Sequence, residues 1–207
     1  MKIVDKKLFV GLFLAFISAT VVGTLSHEFG HHIVAKSLGF KAKISYGSTS
    51  FEPTNQNKIV NATEDFYVTL GGPLQTLITG TIGFILLIIF RKSFVTKTKL
   101  LSWQWLVIFL SLFWLRQTAC FFMRIAVYLI KGKLSNNGDE IDIASYLQLP
   151  NLTIEIITAI IGIIVLSIII FKFIPPSQRL TFIISGLNGG MVGAILWLSL
   201  FGKYILP

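Results

Sequence analysis

The run LFVGLFLAFISATVVGTL, residues 8–25, carries no charge and leads straight into Ser26-His27-Glu28-Phe29-Gly30-His31-His32. A bilayer core takes about 20 apolar residues in a helix. Residues 8–25 nearly meet that length, and the apolar pattern continues through Ile33, Val34, Ala35 and Leu38. The reading is one long helix that crosses a membrane and ends in a cluster of histidines. Four further apolar runs follow, at residues 66–90, 101–130, 152–174 and 180–200. Lipid offers the backbone no hydrogen-bond partners, so each run is expected to be helical. The fold class is therefore an all-α membrane protein of about five transmembrane helices. The intervening segments are too short for a separate soluble domain, so residues 1–207 form a single polytopic unit.

Composition agrees. Hydrophobic residues make up 54% of the chain and charged residues 13%, where soluble domains carry about 25% charge. Mean hydropathy is +0.77. The single cysteine, Cys120, excludes an intramolecular disulfide and any cysteine-rich zinc or iron–sulfur site within the chain. The net charge of +9 would point to nucleic acid in a soluble protein. Here the basic residues flank apolar runs, so the expected partner is the lipid bilayer and no nucleic acid. Lys2, Lys6 and Lys7, the apolar stretch and Ser18-Ala19 mimic a secretory signal. The apolar pattern runs on into polar chemistry, and the segment is expected to stay attached.

That chemistry is the pattern HExxH, formed by His27, Glu28 and His31. Residues four apart lie on one face of a helix. His27 and His31 can then hold one Zn2+ through neutral imidazoles, with Glu28 placed as the general base for a zinc-activated water. All three histidines of the chain fall in this hexapeptide. It sits at the end of a span, where ionisable groups are costly and usually functional. Gly30 lets another backbone come close. His32 lies about 100° around the helix from His31 and is not expected to share the metal.

Catalytic zinc usually has three protein ligands. The third span returns to the face that carries His27, and the next acidic cluster is Asp139-Glu140-Ile141-Asp142. Asp139 is the preferred third ligand, then Asp142, then Glu140. Against this stands ordinary capping of a short helix running on to Leu147. The second span opens with Leu70-Gly71-Gly72-Pro73-Leu74-Gln75-Thr76. The glycines and proline are expected to break or kink its start and to allow tight packing on the first helix. Gln75 and Thr76 are candidates to bind substrate or a developing oxyanion, or to serve as helix–helix contacts. Arg116 and Arg124 lie inside the third run and need partners. For Arg124 the candidates are Glu28, Asp139 or a substrate carbonyl. Residues 43–46 and 58–61 read as two short strands around a turn at 53–57, or as a surface loop. Gly186, Gly190 and the pair Gly189, Gly193 have the spacing of close helix packing.

HEFGHH at the end of a span, GGPLQT opening the next and an Asp after the third resemble the site-2 protease family of intramembrane zinc metalloproteases. The resemblance covers roughly residues 8–147 and is closest to the minimal bacterial form without a PDZ domain. It implies that His27, His31 and Asp139 hold zinc, that Glu28 is catalytic, and that a β-hairpin lies beside the metal. It implies a three-helix catalytic core over 1–147 with two additional helices over 148–207. It further implies a membrane-embedded protein substrate and a bacterial cell membrane location. Thr76 stands where the family has Asn, and Glu140 where it has Gly. Sidedness divides the expectations. Nine Lys and Arg residues lie on the face opposite the histidines and seven on the same face. The positive-inside rule then puts the histidines outside, whereas the resemblance puts them near the cytosol. The alternative to an enzyme is a non-proteolytic membrane protein that uses zinc for structure or for binding a partner. A metal transporter is weaker, since no second intramembrane ligand cluster is visible.

Overall fold

The computed structural model describes residues 4–55 and 59–207. Five helical segments among them are long and apolar enough to cross a membrane: Lys6–Ser37, Ala62–Ile89, Ser102–Lys131, Thr153–Phe173 and Pro176–Ile205. The expected number and order of spans are observed.

The first span is helix α1 (Lys6–Ser37), capped by Asp5, whose carboxylate accepts from the Leu8 amide. Strands β1 (Phe40–Ile44) and β2 (Thr49–Pro53) then form an antiparallel hairpin. The second strand was expected at 58–61. Ile59 and Val60 are not in a strand, and Asn61 instead caps α2 (Ala62–Ile89) in a reciprocal box with Glu64; Lys58 lies outside the described residues. The hairpin therefore turns at 45–48; of the turn expected at 53–57, residues 56 and 57 lie outside the described residues. Phe40 is buried with Ala35 and Val68, which pins the sheet to the ends of α1 and α2. That burial, invisible in the weak local alternation, decides the register.

Helix α2 runs unbroken through Gly71, Gly72 and Pro73, against the expectation of a break. The glycines serve approach: a Cβ on Gly71 would lie 2.6 Å from the Gly30 carbonyl oxygen. After the short helix α3 (Arg91–Val95), the third span comes in two pieces, α4 (Ser102–Ser111) and α5 (Leu115–Lys131), joined by a 3-10 turn at Leu112–Trp114. Gly80 and Gly83 of α2 seat this turn, since a Cβ on Gly80 would meet Trp114 Cδ1 at 2.6 Å. Helix α6 (Asp139–Tyr146) follows a loop. The fourth span begins as α7 (Thr153–Ile168) and the fifth as α8 (Pro176–Ala194), with the small helix α9 (Gly202–Ile205) at its far end. Of the four glycines flagged in α8, Gly186 and Gly189 pack on Phe16 and Phe13 and Gly193 on Thr20, whereas Gly190 faces open space.

Two layers of contacts tie the bundle. At the end distant from the histidines, the Asp5 amide donates to Thr181 Oγ1 at 3.1 Å and the Leu100 amide to Gln178 Oε1 at 3.0 Å. At the histidine end, the hairpin turn is held by the fifth span. The Tyr46 amide donates to the Leu206 carbonyl, and Trp197 Nε1 donates to the Tyr46 carbonyl, each at 2.8 Å.

Candidate metal centre

His27, Glu28 and His31 are all buried on α1. Their ligand-type atoms lie within 4.8 Å of one another, and the group can hold a metal ion. The hydrogen bonds of the two rings set their tautomers. Thr76 Oγ1 donates its one proton to the Gly72 carbonyl at 3.0 Å, so at 3.0 Å from His27 Nδ1 it accepts. His31 Nδ1 is 2.7 Å from the Val68 carbonyl, which can only accept. The Gly72 amide lies 3.3 Å from the same nitrogen, but the shorter bond to the carbonyl decides the tautomer. Both rings thus carry hydrogen on Nδ1 and turn a bare Nε2 inward. The buried partners do for these imidazoles what outer-sphere acceptors do in metal sites: they fix the ring and raise its basicity.

Asp139 completes the convergence. Its Oδ2 lies 2.8 Å from His27 Nε2 and 3.4 Å from His31 Nε2, and the two nitrogens are 3.1 Å apart. Three lone-pair atoms facing one another can share a cation between them. A tetrahedral ion with bonds of ~2.05 Å sets its ligand atoms about 3.3 Å apart, close to these separations. Burial alone would raise the Asp139 carboxyl, but the close polar contacts with His27 and His31 outweigh it and hold it below the ordinary carboxylate range. Asp139 is the first residue of α6 and not its cap; Gly138 occupies the cap position. Glu140 is buried, and burial pushes its carboxyl up, with Arg116 acting in opposition. Asp142 is exposed. Of the three acidic candidates, Asp139 is the one at the histidines.

The floor of the site is bare backbone. A Cβ on Gly72 would stand 2.6 Å from His27 Nε2 and closer still to His31 Nε2. One wall is the hairpin. Thr49 Oγ1, at the start of β2, is 2.9 Å from the Glu28 carbonyl and 3.0 Å from Glu28 Oε2. Its side chain ties the strand to the carboxylate.

The remaining sequence candidates divide. Thr76 belongs to the site, but as the partner of His27. Gln75 donates to Ser26 Oγ and to Thr79 Oγ1, and its Oε1 is buried without a partner among the described residues. Arg124 pairs with Glu155 of α7, at 2.6 Å, and with neither Glu28 nor Asp139. Arg116 has a buried Nη1 without a partner among the described residues and lies within electrostatic reach of His27, Glu28 and Glu140. His32 stays outside the cluster, its ring stacked on Phe29. Sequence reasoning missed Thr49, the Val68 carbonyl and Glu155. A signal existed only for Glu155, an acid entering a span opposite an unpaired arginine in the span before it.

No family model, curated protein or solved structure matches the chain.

Proposed function

We propose that the chain is an intramembrane zinc metalloendopeptidase that hydrolyses a peptide bond of a membrane-embedded protein substrate, with His27, His31 and Asp139 as ligands. The observation that carries this reading is Glu28. Its carboxylate is buried against two inward-facing Nε2 atoms and is held by Thr49. A purely structural zinc site has no use for a base there. The resemblance of HEFGHH, GGPLQT and Asp139 to the site-2 protease family supports the same reading, and with it a place in a bacterial cell membrane.

Zinc in this site would supply Lewis acidity, acidifying a water and polarising a carbonyl. The chain's own residues do the rest. Glu28 takes the proton from the attacking water and passes it to the leaving amine. Thr76 and the Val68 carbonyl hold the rings so that both Nε2 atoms stay bare. Arg116, whose buried Nη1 has no partner among the described residues, would offer its positive charge to the carbonyl oxygen as negative charge develops there. Gln75 and Thr76 hold other groups and are not needed for that task. The hairpin walls the site on the side of Glu28, where an extended segment of substrate has to lie, because a helix hides its peptide bonds.

The test is Glu28→Gln, which keeps shape and both histidines but cannot accept a proton. It should retain one zinc per chain, as His27→Ala and His31→Ala should not. Cleavage of single-span substrates with helix-breaking residues, in detergent or liposomes, should fall by at least ~10²-fold. Equal cleavage by both proteins removes Glu28 as base. Zinc retained with no cleavage by wild type across the panel favours the non-proteolytic alternative.

A further inference from the structure

Arg124 lies on α5, in the second half of the third span. Its Nε donates to Glu155 Oε2 at 2.6 Å, with the side chains 10% and 1% exposed. Its Nη1 donates to the Ser135 carbonyl at 2.5 Å and its Nη2 to the Asn137 carbonyl at 3.1 Å. Three nitrogens of one planar guanidinium thus hold a side chain of α7 and two main-chain carbonyls of one loop at once. A lysine ammonium has no such fork. The loop's other side-chain hydrogen bond among the described residues is local, from the Asn137 amide to Ser135 Oγ.

The clamped carbonyls lie four and two residues before Asp139. Between them and the ligand stands Gly138, at φ +137°, where a Cβ would press on Arg124 Nη2 at 3.0 Å. Two Cα steps of 3.8 Å therefore separate the clamp from the carboxylate that meets His27 and His31. From the far end α6 is held to α2 by Tyr146, which hydrogen-bonds Thr63 and stacks on Phe66. At the Asp139 end Glu140 and Ile141 are buried, but among the described residues the clamp and the histidines supply the only side-chain hydrogen bonds and ion pairs there. A buried ion pair is a weak source of stability, because desolvation offsets its attraction. Glu155 even keeps a second oxygen, Oε1, with no partner among the described residues. What the pair supplies is a direction for the guanidinium.

We infer that the Arg124–Glu155 pair is a positioning device for the third metal ligand: Glu155 of the fourth span orients Arg124, and Arg124 grips the 135–137 main chain so that Asp139 stands over His27 and His31. Neither residue touches metal or substrate. The inference rests on the reading of Asp139 as a ligand, and extends the metal site to a span that carries none of its ligands.

The experiment is a double-mutant cycle on zinc affinity, measured by chelator competition on the purified full chain. Arg124→Gln should weaken zinc about tenfold to a hundredfold, the usual effect of losing an outer-sphere support. Arg124→Lys should do nearly the same, because charge alone does not make the fork. Arg124→Met with Glu155→Leu removes both charges and leaves no buried ion unpaired; it should fold with a wild-type melting temperature and show the same loss of affinity. In an Asp139→Ala background, Arg124→Gln should cost less than a further twofold. An undiminished loss in that background means that Arg124 does not act through Asp139 and overturns the inference, as does wild-type affinity in the Met/Leu protein. If Asp139→Ala itself leaves zinc affinity unchanged, the ligand reading fails and takes the inference with it. Zinc binding without cleavage leaves the cycle intact, so the two readings fail separately.

Discussion

Thr76 shows how a small hydroxyl can matter more to an imidazole than a charge would. It has one proton and gives it to Gly72, so it can only receive the hydrogen of His27 Nδ1. Thr76→Val keeps the shape of the side chain and leaves that buried N–H unpaired. Zinc affinity by chelator competition should fall about tenfold to a hundredfold, and Thr76→Ser should restore it. An unchanged dissociation constant in the valine protein would reduce Thr76 to packing. The histidine pair and Glu28 were legible from sequence, because helical spacing alone brings i and i+4 together. Thr76 was legible as a residue of the site but not in its role, which depends on where α2 crosses α1. Arg124 was not matched to its ion-pair partner for a related reason. Its partner, Glu155, is 31 residues away, and nothing local in sequence separates it from Glu28 or Asp139 as a partner.

The number and order of the spans were legible, since a span must be long, apolar and hydrogen-bonded within itself, but the second begins at Ala62 and the fifth runs over Pro176–Ile205, beyond the expected 66 and 180–200. The failures fall where packing decides. The strand expected at 58–61 lies instead at Thr49–Pro53, because Phe40, Ala35 and Val68 bury one face of the hairpin. The third span tightens to a 3-10 turn at Leu112–Trp114, because Gly80 and Gly83 of the neighbouring helix admit it. Gly71 and Gly72 do not break the helix, but they admit the tight packing on α1 that was also expected of them. At Gly71 the space is already taken, with the Gly30 carbonyl 2.6 Å and Val34 Cγ2 2.9 Å from a Cβ placed there. Gly71→Ala should push α1 and α2 apart, with the cost of about 1–3 kcal/mol typical of overpacking. Zinc affinity should drop with it, because the His27 and His31 partners sit on α2. Gly190→Ala, with nothing within 4 Å of its Cβ, is the control and should change neither melting temperature nor zinc binding. Equal behaviour of the two variants would show that the helices yield at the Gly30–Gly71 crossing.

The proposed ligands all lie within residues 1–147, yet the last two spans supply contacts that hold their surroundings. Helix α8 lies along α1, with Gly189 and Gly193 admitting Phe13, Phe16 and Thr20. Phe182 meets Phe16 with ring centroids 5.4 Å apart. Trp197 and Leu206 hold Tyr46, three residues before the Thr49 that ties the hairpin to Glu28. Glu155 of α7 holds Arg124, and through it the loop that presents Asp139. A chain cut to 1–147 would keep His27, Glu28, His31 and Asp139 and lose the supports of two of them. It should still insert, because each of its three spans is long and apolar enough by itself, but zinc affinity should fall at least tenfold and cleavage with it. Residues 148–207 co-expressed as a separate chain should restore both, since Glu155 and Trp197 act by contact and not by covalent linkage to the core. Restoration should fail selectively with altered second chains. Glu155→Gln in the added chain should leave zinc weak, whereas Trp197→Phe should recover zinc but not the full rate, because it frees the hairpin and not the ligand. Full zinc affinity in 1–147 alone would show that the first three spans fix their metal unaided. Identical recovery by both altered chains would show that the last two spans act only as packing.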